Sequence, residues 1–219
     1  MGRPGPDGGA GMVTPVLTAA QAHDWIVAFR DVVVANAAEL SDLDRQSGDG
    51  DFGTNITTVL NAVGGRLDPG EDRVAGHFAV LASGFMNGGG TSGPLFAIWF
   101  QGFAEACSTG ASAAQLADGA EAGLAGVSRL GGAKPGDKTM VDAMSPAAKA
   151  LRVAADQLAV PEVALADAAQ AARTGATVTA SYSARRGRAS YVGAAAQGVV
   201  DPGALAVALF FESAAGAVR

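Results

Sequence analysis

The densest group of chemically active side chains in the sequence is an acidic loop. Three carboxylates, Asp44, Asp49 and Asp51, fall within eight residues, and the glycines among them permit tight turns. Carboxylates this close repel one another unless a cation joins them. Mg²⁺ takes such oxygen ligands and leaves positions open for water or phosphate. The loop therefore predicts a magnesium site, with a solvated acidic turn as the alternative. The aspartate spacing of five and then two excludes an EF-hand calcium loop.

A glycine-rich loop, Asn87–Pro94, has the composition of an anion-binding segment. Backbone amides of such a loop, placed where a helix begins, can surround a phosphate. The loop lacks the Gly-Lys-Ser/Thr sequence of a Walker loop, so that motif is excluded. The alternative is an ordinary flexible loop in which Ser92 caps the following helix.

Two further loops carry basic residues, and a short Asp-Pro-Gly segment follows them. These are Ala133–Met140, Arg185–Gly193 and Asp201–Gly203. The arginine guanidinium offers two parallel donors that match phosphate oxygens. The loops therefore favour binding of a phosphate compound, whereas a solvated basic loop is the alternative for the arginine group.

The segments between these loops have the pattern of helices. Apolar residues recur every three or four positions from Trp25 to Leu40, from Val74 to Phe85 and from Leu116 to Val127. Three alanine-rich stretches, about 138–157, 161–180 and 203–217, also predict helices. The best strand candidate is Thr177–Tyr182, and it is short. In an antiparallel helical bundle every second connection lies at the same end, so we expect the polar loops to converge on one site.

The chain begins with a segment of different composition. Residues 1–16 hold five glycines and three prolines without helical or strand periodicity. This predicts a disordered leader over residues 1–17 and one domain over 18–219. The length of 219 residues suits a single domain.

Composition and charge exclude several classes of protein. Apolar residues make up 49% and charged residues 16% of the chain, which excludes a disordered protein. A net charge of −6 argues against nucleic-acid binding, because neutralising phosphates requires a basic face. The apolar run Ala204–Phe211 is far shorter than the roughly 20 residues of a membrane span. We therefore expect no nucleic-acid partner, no membrane contact and a cytoplasmic location.

Five motifs occur in the order found in a known family. GDGDFGTN preceded by Asp44, GGGTSGPLF, AKPGDKTM, RRGRASYVG and DPG resemble the L subunit of dihydroxyacetone kinase, the DhaL family. The resemblance covers about residues 18–217, and AKPGDKTM and GRASY are its most specific parts. It implies an all-α barrel of about eight antiparallel helices with a nucleotide–Mg²⁺ site at one end. It also implies two Mg²⁺ ions and ADP or ATP as cofactors.

The resemblance also implies roles for individual residues. Asp44, Asp49 and Asp51 would hold the two Mg²⁺ ions, and Arg188 would face the nucleotide as the catalytic residue. The other nucleotide-binding residues would be Phe52, Gly53, Thr54, Asn55, Thr91, Ser92, Gly131, Met140, Asp201, Pro202 and Gly203. Phe52 departs from the family pattern, which usually has His at this position.

The partners and the phosphoryl donor follow from the same resemblance. The two histidines, His23 and His77, are distant from the acidic loop, so no residue resembles a general base or a covalent sugar-binding group. The sugar would be held covalently by a partner K subunit. The donor would be either phosphoenolpyruvate, through a phosphotransferase-system M subunit that rephosphorylates bound ADP, or exchanging ATP. A nucleotide-binding regulatory subunit with weak catalysis is the alternative function, and the sequence leaves a homodimer open.

Overall fold

The computed structural model of the chain describes residues 15–187, 189–192 and 196–218. Within these ranges the chain forms nine helices of eleven or more residues, one four-residue helix and no strand. The helices are α1 Ala19–Ala35, α2 Ala37–Ser47, α3 Phe52–Gly64, α4 Val74–Met86, α5 Gly93–Ala106, α6 Ala113–Gly131, α7 Val141–Asp156, α8 Pro161–Val178, α9 Ala189–Val192 and α10 Pro202–Ala217. The predicted all-helical class is confirmed.

The apolar stripe from Trp25 to Leu40 predicted one helix but spans two. Helix α1 ends before Asn36. The side-chain amide of Asn36 donates to the Val32 carbonyl oxygen at 2.7 Å and so gives a hydrogen-bond partner to a carbonyl in the last turn of α1. The chain then continues at once into α2. This break adds one helix to the predicted number of about eight.

The packing order of the helices closes on itself. Helix α4 packs on α5, α5 on α6, α6 on α7, α7 on α8, α8 on α10, α10 on α1, and α1 on α4. Helix α3 contacts both α1 and α4, and α2 contacts α3 and α10. The described chain is therefore a closed bundle, as the barrel prediction requires.

Aromatic rings fill the interior of this bundle. The Phe210 ring stacks on Trp25 with ring centroids 4.4 Å apart and also lies within 5.2 Å of Trp99 and Phe100. The indole nitrogen of Trp25 donates to the Phe210 carbonyl oxygen at 2.6 Å, which ties α1 to α10. Rings of this size bury large apolar areas, so this cluster stabilises the packing of α1, α5 and α10 against one another.

Order begins before the predicted domain boundary. Most of the predicted leader, residues 1–14, lies outside the described residues. Leu17 was predicted to be part of the leader, but it is fully buried and exchanges two backbone hydrogen bonds with Ala111, of 2.8 and 3.0 Å. The buried side chain and the paired backbone place Leu17 in the domain.

The strand predicted for Thr177–Tyr182 is wrong. Helix α8 continues to Val178, and a 3₁₀ turn follows over Thr179–Ser181. The β-branched residues that suggested a strand are accommodated in the helix, and the Thr177 hydroxyl donates to the Arg173 carbonyl at 2.8 Å. The helix predictions for α7, α8 and α10 are confirmed to within three residues. None of the described helices combines the length and apolar character needed to cross a lipid bilayer.

Candidate functional site

A cavity of about 270 Å³ lies where four connections between helices meet. The connections are those that follow α2, α4, α6 and α8. The expectation that every second loop shares one end of the bundle is therefore confirmed. Of the predicted site residues, those lining the cavity are Asp44, Asp49, Asp51, Phe52, Asn55, Thr91, Ser92, Gly131, Met140, Asp201, Pro202 and Gly203.

The acidic loop presents three carboxylates to one point of this cavity. One oxygen from each of Asp44, Asp49 and Asp51 lies within 4.8 Å of the other two. Asp44 is half-buried, and Asp49 and Asp51 are exposed. The donor set consists only of carboxylate oxygens with open space beside it, which fits a hard cation that retains other ligands. The residues present are therefore suited to Mg²⁺.

Local geometry orients the Asp44 carboxylate. Its Oδ2 accepts a hydrogen bond of 3.0 Å from the backbone amide of Phe52, the first residue of α3. A Cβ on Gly48 would lie 2.5 Å from the Asp44 Oδ1, so a side chain at position 48 would displace the carboxylate. Gly50 has a φ of +82°, a conformation that side-chain-bearing residues rarely adopt. Glycine at both positions therefore permits the carboxylate cluster to form.

Gly53 and Thr54, predicted to sit beside the metal and phosphates, do not line the cavity. Gly53 is buried where α3 meets α2, and a Cβ there would lie 2.2 Å from the Ala37 carbonyl oxygen. Thr54 is exposed on α3. Gly53 therefore contributes through helix packing, by allowing α3 to approach α2 closely.

The glycine-rich loop forms a tight turn at the start of α5. Gly89 and Gly90 have φ values of +82° and +60°, and a Cβ on Gly93 would lie 1.9 Å from the Gly88 carbonyl oxygen. Thr91 and Ser92 lie in a short 3₁₀ helix and line the cavity. Ser92 precedes α5, but its side chain makes no capping hydrogen bond to that helix. The loop thus brings the amino terminus of α5, the positive end of its dipole, to the cavity.

The Phe52 ring lines the cavity and also packs against the core. It is half-buried, and its centroid lies 6.4 Å from that of Phe96. An apolar wall continues through Leu95, Val127 and Met140. The cavity therefore combines an acidic corner with an apolar surface.

The loop before α7 is organised by two buried carboxylates. Asp137 is 2% exposed and accepts a hydrogen bond from the Lys134 backbone amide at 3.1 Å. Asp142 accepts from the Thr139 amide at 2.8 Å and from the Gly136 amide. The same loop holds Lys138, which is 1% exposed and lines the cavity. Burial lowers the pKa of the Lys138 ammonium, while the nearby Asp201 and Asp142 carboxylates raise it.

The arginine loop is attached to Asp137. The Asp137 carboxylate lies 3.8 Å from Nη1 of Arg185 and 3.9 Å from Nε of Arg186. Arg186 lines the cavity, and its guanidinium lies near Gly132 at the end of α6. Arg188, the predicted catalytic residue, lies outside the described residues.

Asp201 caps α10, and the pKa of its carboxyl is raised. Its Oδ2 accepts from the Ala204 amide at 2.8 Å and so caps α10. Burial raises the pKa of the Asp201 carboxyl to about 7; hydrogen bonding and Lys138 lower it, and Asp142 and Asp44 raise it.

Sequence reasoning missed several cavity residues. They are Ser47, Gly89, Leu95, Val127, Ala133, Lys138, Thr139, Val141, Arg186, Gly187 and Ala189. Lys138 and Thr139 lie inside the AKPGDKTM motif, of which the resemblance assigns a role to Met140 alone. Leu95 and Val127 follow the apolar helical pattern of core residues, and nothing in the sequence distinguishes them from the rest of the core.

Comparisons with known proteins identify the family of this chain. The model of the DAK2 domain matches residues 46–216. The chain is 35% identical to the ADP-binding subunit DhaL of the PEP-dependent dihydroxyacetone kinase of Escherichia coli, over 93% of this chain and 99% of that protein. It is 39% identical to L-erythrulose 1-kinase of Mycolicibacterium smegmatis, over 84% of this chain but only 33% of that longer protein.

A solved structure of a related protein shares the fold. The crystal structure of the dihydroxyacetone kinase from C. freundii in complex with AMP-PNP and Mg²⁺ matches 99% of this chain with a TM-score of 0.65 and 26% identity. This chain covers 37% of that protein. The correspondence is therefore with one part of a longer kinase.

Proposed function

This chain belongs to the DAK2-domain family, and we propose that it is the ADP- or ATP-binding subunit of a kinase for dihydroxyacetone or a related ketose. It passes a phosphoryl group from Mg²⁺-bound nucleotide to a sugar held by a partner K subunit. The observation that carries the proposal is the convergence of three carboxylates and a glycine-rich loop on one cavity with an apolar wall. A nucleotide needs both a cation beside its phosphates and an apolar surface beside its base.

The acidic loop supplies the metal site in this proposal. Asp44, Asp49 and Asp51 hold two Mg²⁺ ions, which when bound neutralise charge on the phosphate oxygens. Asn55, Thr91 and Ser92 provide polar groups beside them. These side chains act by orientation, because phosphoryl transfer depends mainly on positioning and charge stabilisation.

The other side of the cavity accommodates the adenine and completes the site. Gly131 and Met140 line the base pocket, and Asp201, Pro202 and Gly203 close it. Arg188 acts as the catalytic residue by stabilising charge on the transferred group, in keeping with the bidentate donors of arginine. The motif GRASY supports this role for Arg188.

The sugar is supplied by another subunit. Neither His23 nor His77 lines the cavity, and the Lys138 ammonium, which does line it, donates to the backbone carbonyl oxygens of Thr179 and Val199. The chain spans nearly the full length of the E. coli subunit but about a third of the erythrulose kinase. The E. coli relative is named as one subunit of its kinase, which supports a K subunit as the partner and leaves the ketose to be determined by that subunit.

The donor in this proposal is phosphoenolpyruvate, acting through a phosphotransferase-system M subunit on ADP that stays bound. Support comes from the E. coli relative, whose name gives it as the ADP-binding subunit of a PEP-dependent kinase. Exchange of ATP as an ordinary substrate is the competing donor mode.

Native mass spectrometry of the purified chain tests the proposal. We expect co-purifying ADP or ATP, lost on chelation of Mg²⁺.

Mg²⁺–ADP should also raise the melting temperature, because a ligand at a hundredfold excess over its Kd adds about 2.7 kcal/mol of stability. Dihydroxyacetone should not raise it. A chase with ATP and then with phosphoenolpyruvate components identifies the donor. Stabilisation by the sugar alone would contradict the assignment of the substrate pocket to a partner.

A further inference from the structure

Lys138 occupies an unusual position for a lysine. Its side chain is 1% exposed, although lysines are rarely buried unless their ammonium is paired. Its backbone has a φ of +61°, a conformation uncommon for residues other than glycine. Both features indicate that the surrounding structure holds this residue in place for a specific contact.

The contact joins two distant parts of the chain. The Lys138 ammonium donates a hydrogen bond of 2.7 Å to the carbonyl oxygen of Thr179 and a second one to the carbonyl oxygen of Val199. These two carbonyls mark the beginning and the end of the segment that leaves α8 and returns to α10. One buried ammonium therefore fastens both ends of that segment.

Two further hydrogen bonds join the beginning of this segment to its end. The Gly198 amide donates to the Ala180 carbonyl oxygen at 2.8 Å, and the Asp201 amide donates to the Thr179 hydroxyl at 2.9 Å. Asp201 itself lines the cavity and caps α10. The position of this cavity wall thus depends on the junction around Lys138.

Asp137, the residue before Lys138, contacts the part of the segment that contains Arg185 and Arg186. The Arg185 amide donates to the Asp137 backbone carbonyl at 3.1 Å, and the buried Asp137 carboxylate faces the guanidinium groups of Arg185 and Arg186. Arg186 reaches the cavity from there. Lys138 therefore holds the segment at its two ends, and Asp137 holds it at Arg185 and Arg186.

We infer that Lys138 is a positioning residue for phosphoryl transfer, which fastens the segment at Thr179 and Val199 so that Arg186 is held at the cavity. The inference rests on the proposed nucleotide-binding function. Lys138 acts here through the backbone of another segment. A misplacement of about 1 Å at a reacting group can cost about a hundredfold in rate, so loss of this anchor affects turnover more than nucleotide affinity.

The test compares Lys138→Met with the wild-type chain and with Lys149→Met, which removes an exposed lysine on α7. Lys138→Met keeps an unbranched side chain that is one atom shorter and removes the hydrogen-bond donors. We expect at least about a tenfold loss of kcat in transfer to the partner-held sugar and a smaller loss of affinity for Mg²⁺–ADP. Trypsin should cut the variant faster after Arg185 and Arg186, at a temperature where its helix content is intact. Lys149→Met should behave as wild type in all three measurements.

Two results would overturn the inference. Unchanged cleavage and turnover in Lys138→Met would show that the anchor is dispensable. A loss of ADP affinity without faster cleavage would make Lys138 a direct ligand of the nucleotide. The cleavage assay needs no ligand, so it separates failure of the anchor from failure of the proposed function, which would appear as no ADP binding by the wild type.

A second variant covers the case in which Lys138→Met does not fold. Asp137→Asn keeps an oxygen acceptor for the Lys134 amide but removes the negative charge that faces the two arginines. We expect faster cleavage after Arg185 and Arg186 and a lower kcat with unchanged ADP affinity. Cleavage and kcat equal to those of wild type would contradict the anchoring role of this loop.

Discussion

The backbone amide of Phe52 donates a hydrogen bond of 3.0 Å to Oδ2 of Asp44. This bond joins the first residue of α3 to a carboxylate on the last turns of α2. It places a negative charge at the positive end of a helix dipole, where carboxylates are stabilised. Because the donor is a main-chain amide, any residue at position 52 other than proline can orient the Asp44 carboxylate in this way.

Replacing Phe52 by His should therefore leave the acidic site intact and change the chemistry beside it. A hydrogen bond to a charged group is worth roughly 1.5–3 kcal/mol. If the imidazole donates mainly in the transition state, turnover with the K subunit should rise about tenfold or more. ADP affinity, measured by calorimetry, should change much less.

The same substitution carries a cost in stability. The Phe52 ring packs near Phe96, and an aromatic pair is worth about 0.5–1.5 kcal/mol. The melting temperature should therefore fall by a few degrees, at about 2–4 °C per kcal/mol for a chain of this size. Equal or lower turnover would mean that Phe52 is adapted to this site and that histidine is not needed there.

Gly53→Ala should destabilise the chain through the contact between α2 and α3. A Cβ at this position would lie 2.2 Å from the Ala37 carbonyl oxygen and 2.4 Å from the Ser41 hydroxyl. Overpacking of this kind costs about 1–3 kcal/mol. Urea unfolding measures the loss. Gly216→Ala is the matched control, because a Cβ on this exposed residue of α10 meets no atom within 4 Å and should stabilise or leave stability unchanged.

Asp201 should make the stability of the ligand-free chain depend on pH. Its carboxyl pKa rises from 3.8 to about 7 on folding. Between these values the folded chain keeps a proton that the unfolded chain releases, so the free energy of unfolding falls as the pH rises through this window. The slope from one such group is at most about 1.4 kcal/mol per pH unit.

Asp201→Asn isolates this contribution, because asparagine keeps an acceptor for the Ala204 amide but does not titrate. Unfolding curves between pH 4 and 8 should show a shallower decline for the variant than for wild type. An exposed carboxylate on α8, Asp167, supplies the control variant Asp167→Asn, which should retain the wild-type slope. Identical slopes in Asp201→Asn and wild type would contradict the raised pKa.

Local sequence patterns predicted much of the fold and of the candidate site. The apolar stripes predicted the helices. The acidic and glycine-rich loops predicted one shared site, because the residues that define each loop are close together in the sequence. The strand predicted at Thr177–Tyr182 is wrong, because the exposed β-branched residues Thr177 and Val178 are accommodated in the last turn of α8. Lys138 could not be predicted as buried, since its acceptors at Thr179 and Val199 lie 41 and 61 residues further along the chain.

Gly53 illustrates a different limit. The glycine belongs to the GDGDFGTN motif, so sequence alone associates it with the ligand. The structure assigns its small size to the approach of α3 to α2, which is a packing requirement. Motif membership therefore does not distinguish residues that touch a ligand from those that place its neighbours.

The central claim is that Asp44, Asp49 and Asp51 form the Mg²⁺ site through which nucleotide binds. The most direct measurement is calorimetric titration of Asp49→Ala with ADP in the presence and absence of Mg²⁺, beside wild type and the exposed-surface control Asp167→Ala. Wild type and the control should bind ADP only with Mg²⁺. Asp49→Ala should lose at least about a hundredfold in affinity, with helix content unchanged by circular dichroism. Equal Mg²⁺-dependent affinity in Asp49→Ala and wild type would contradict the claim.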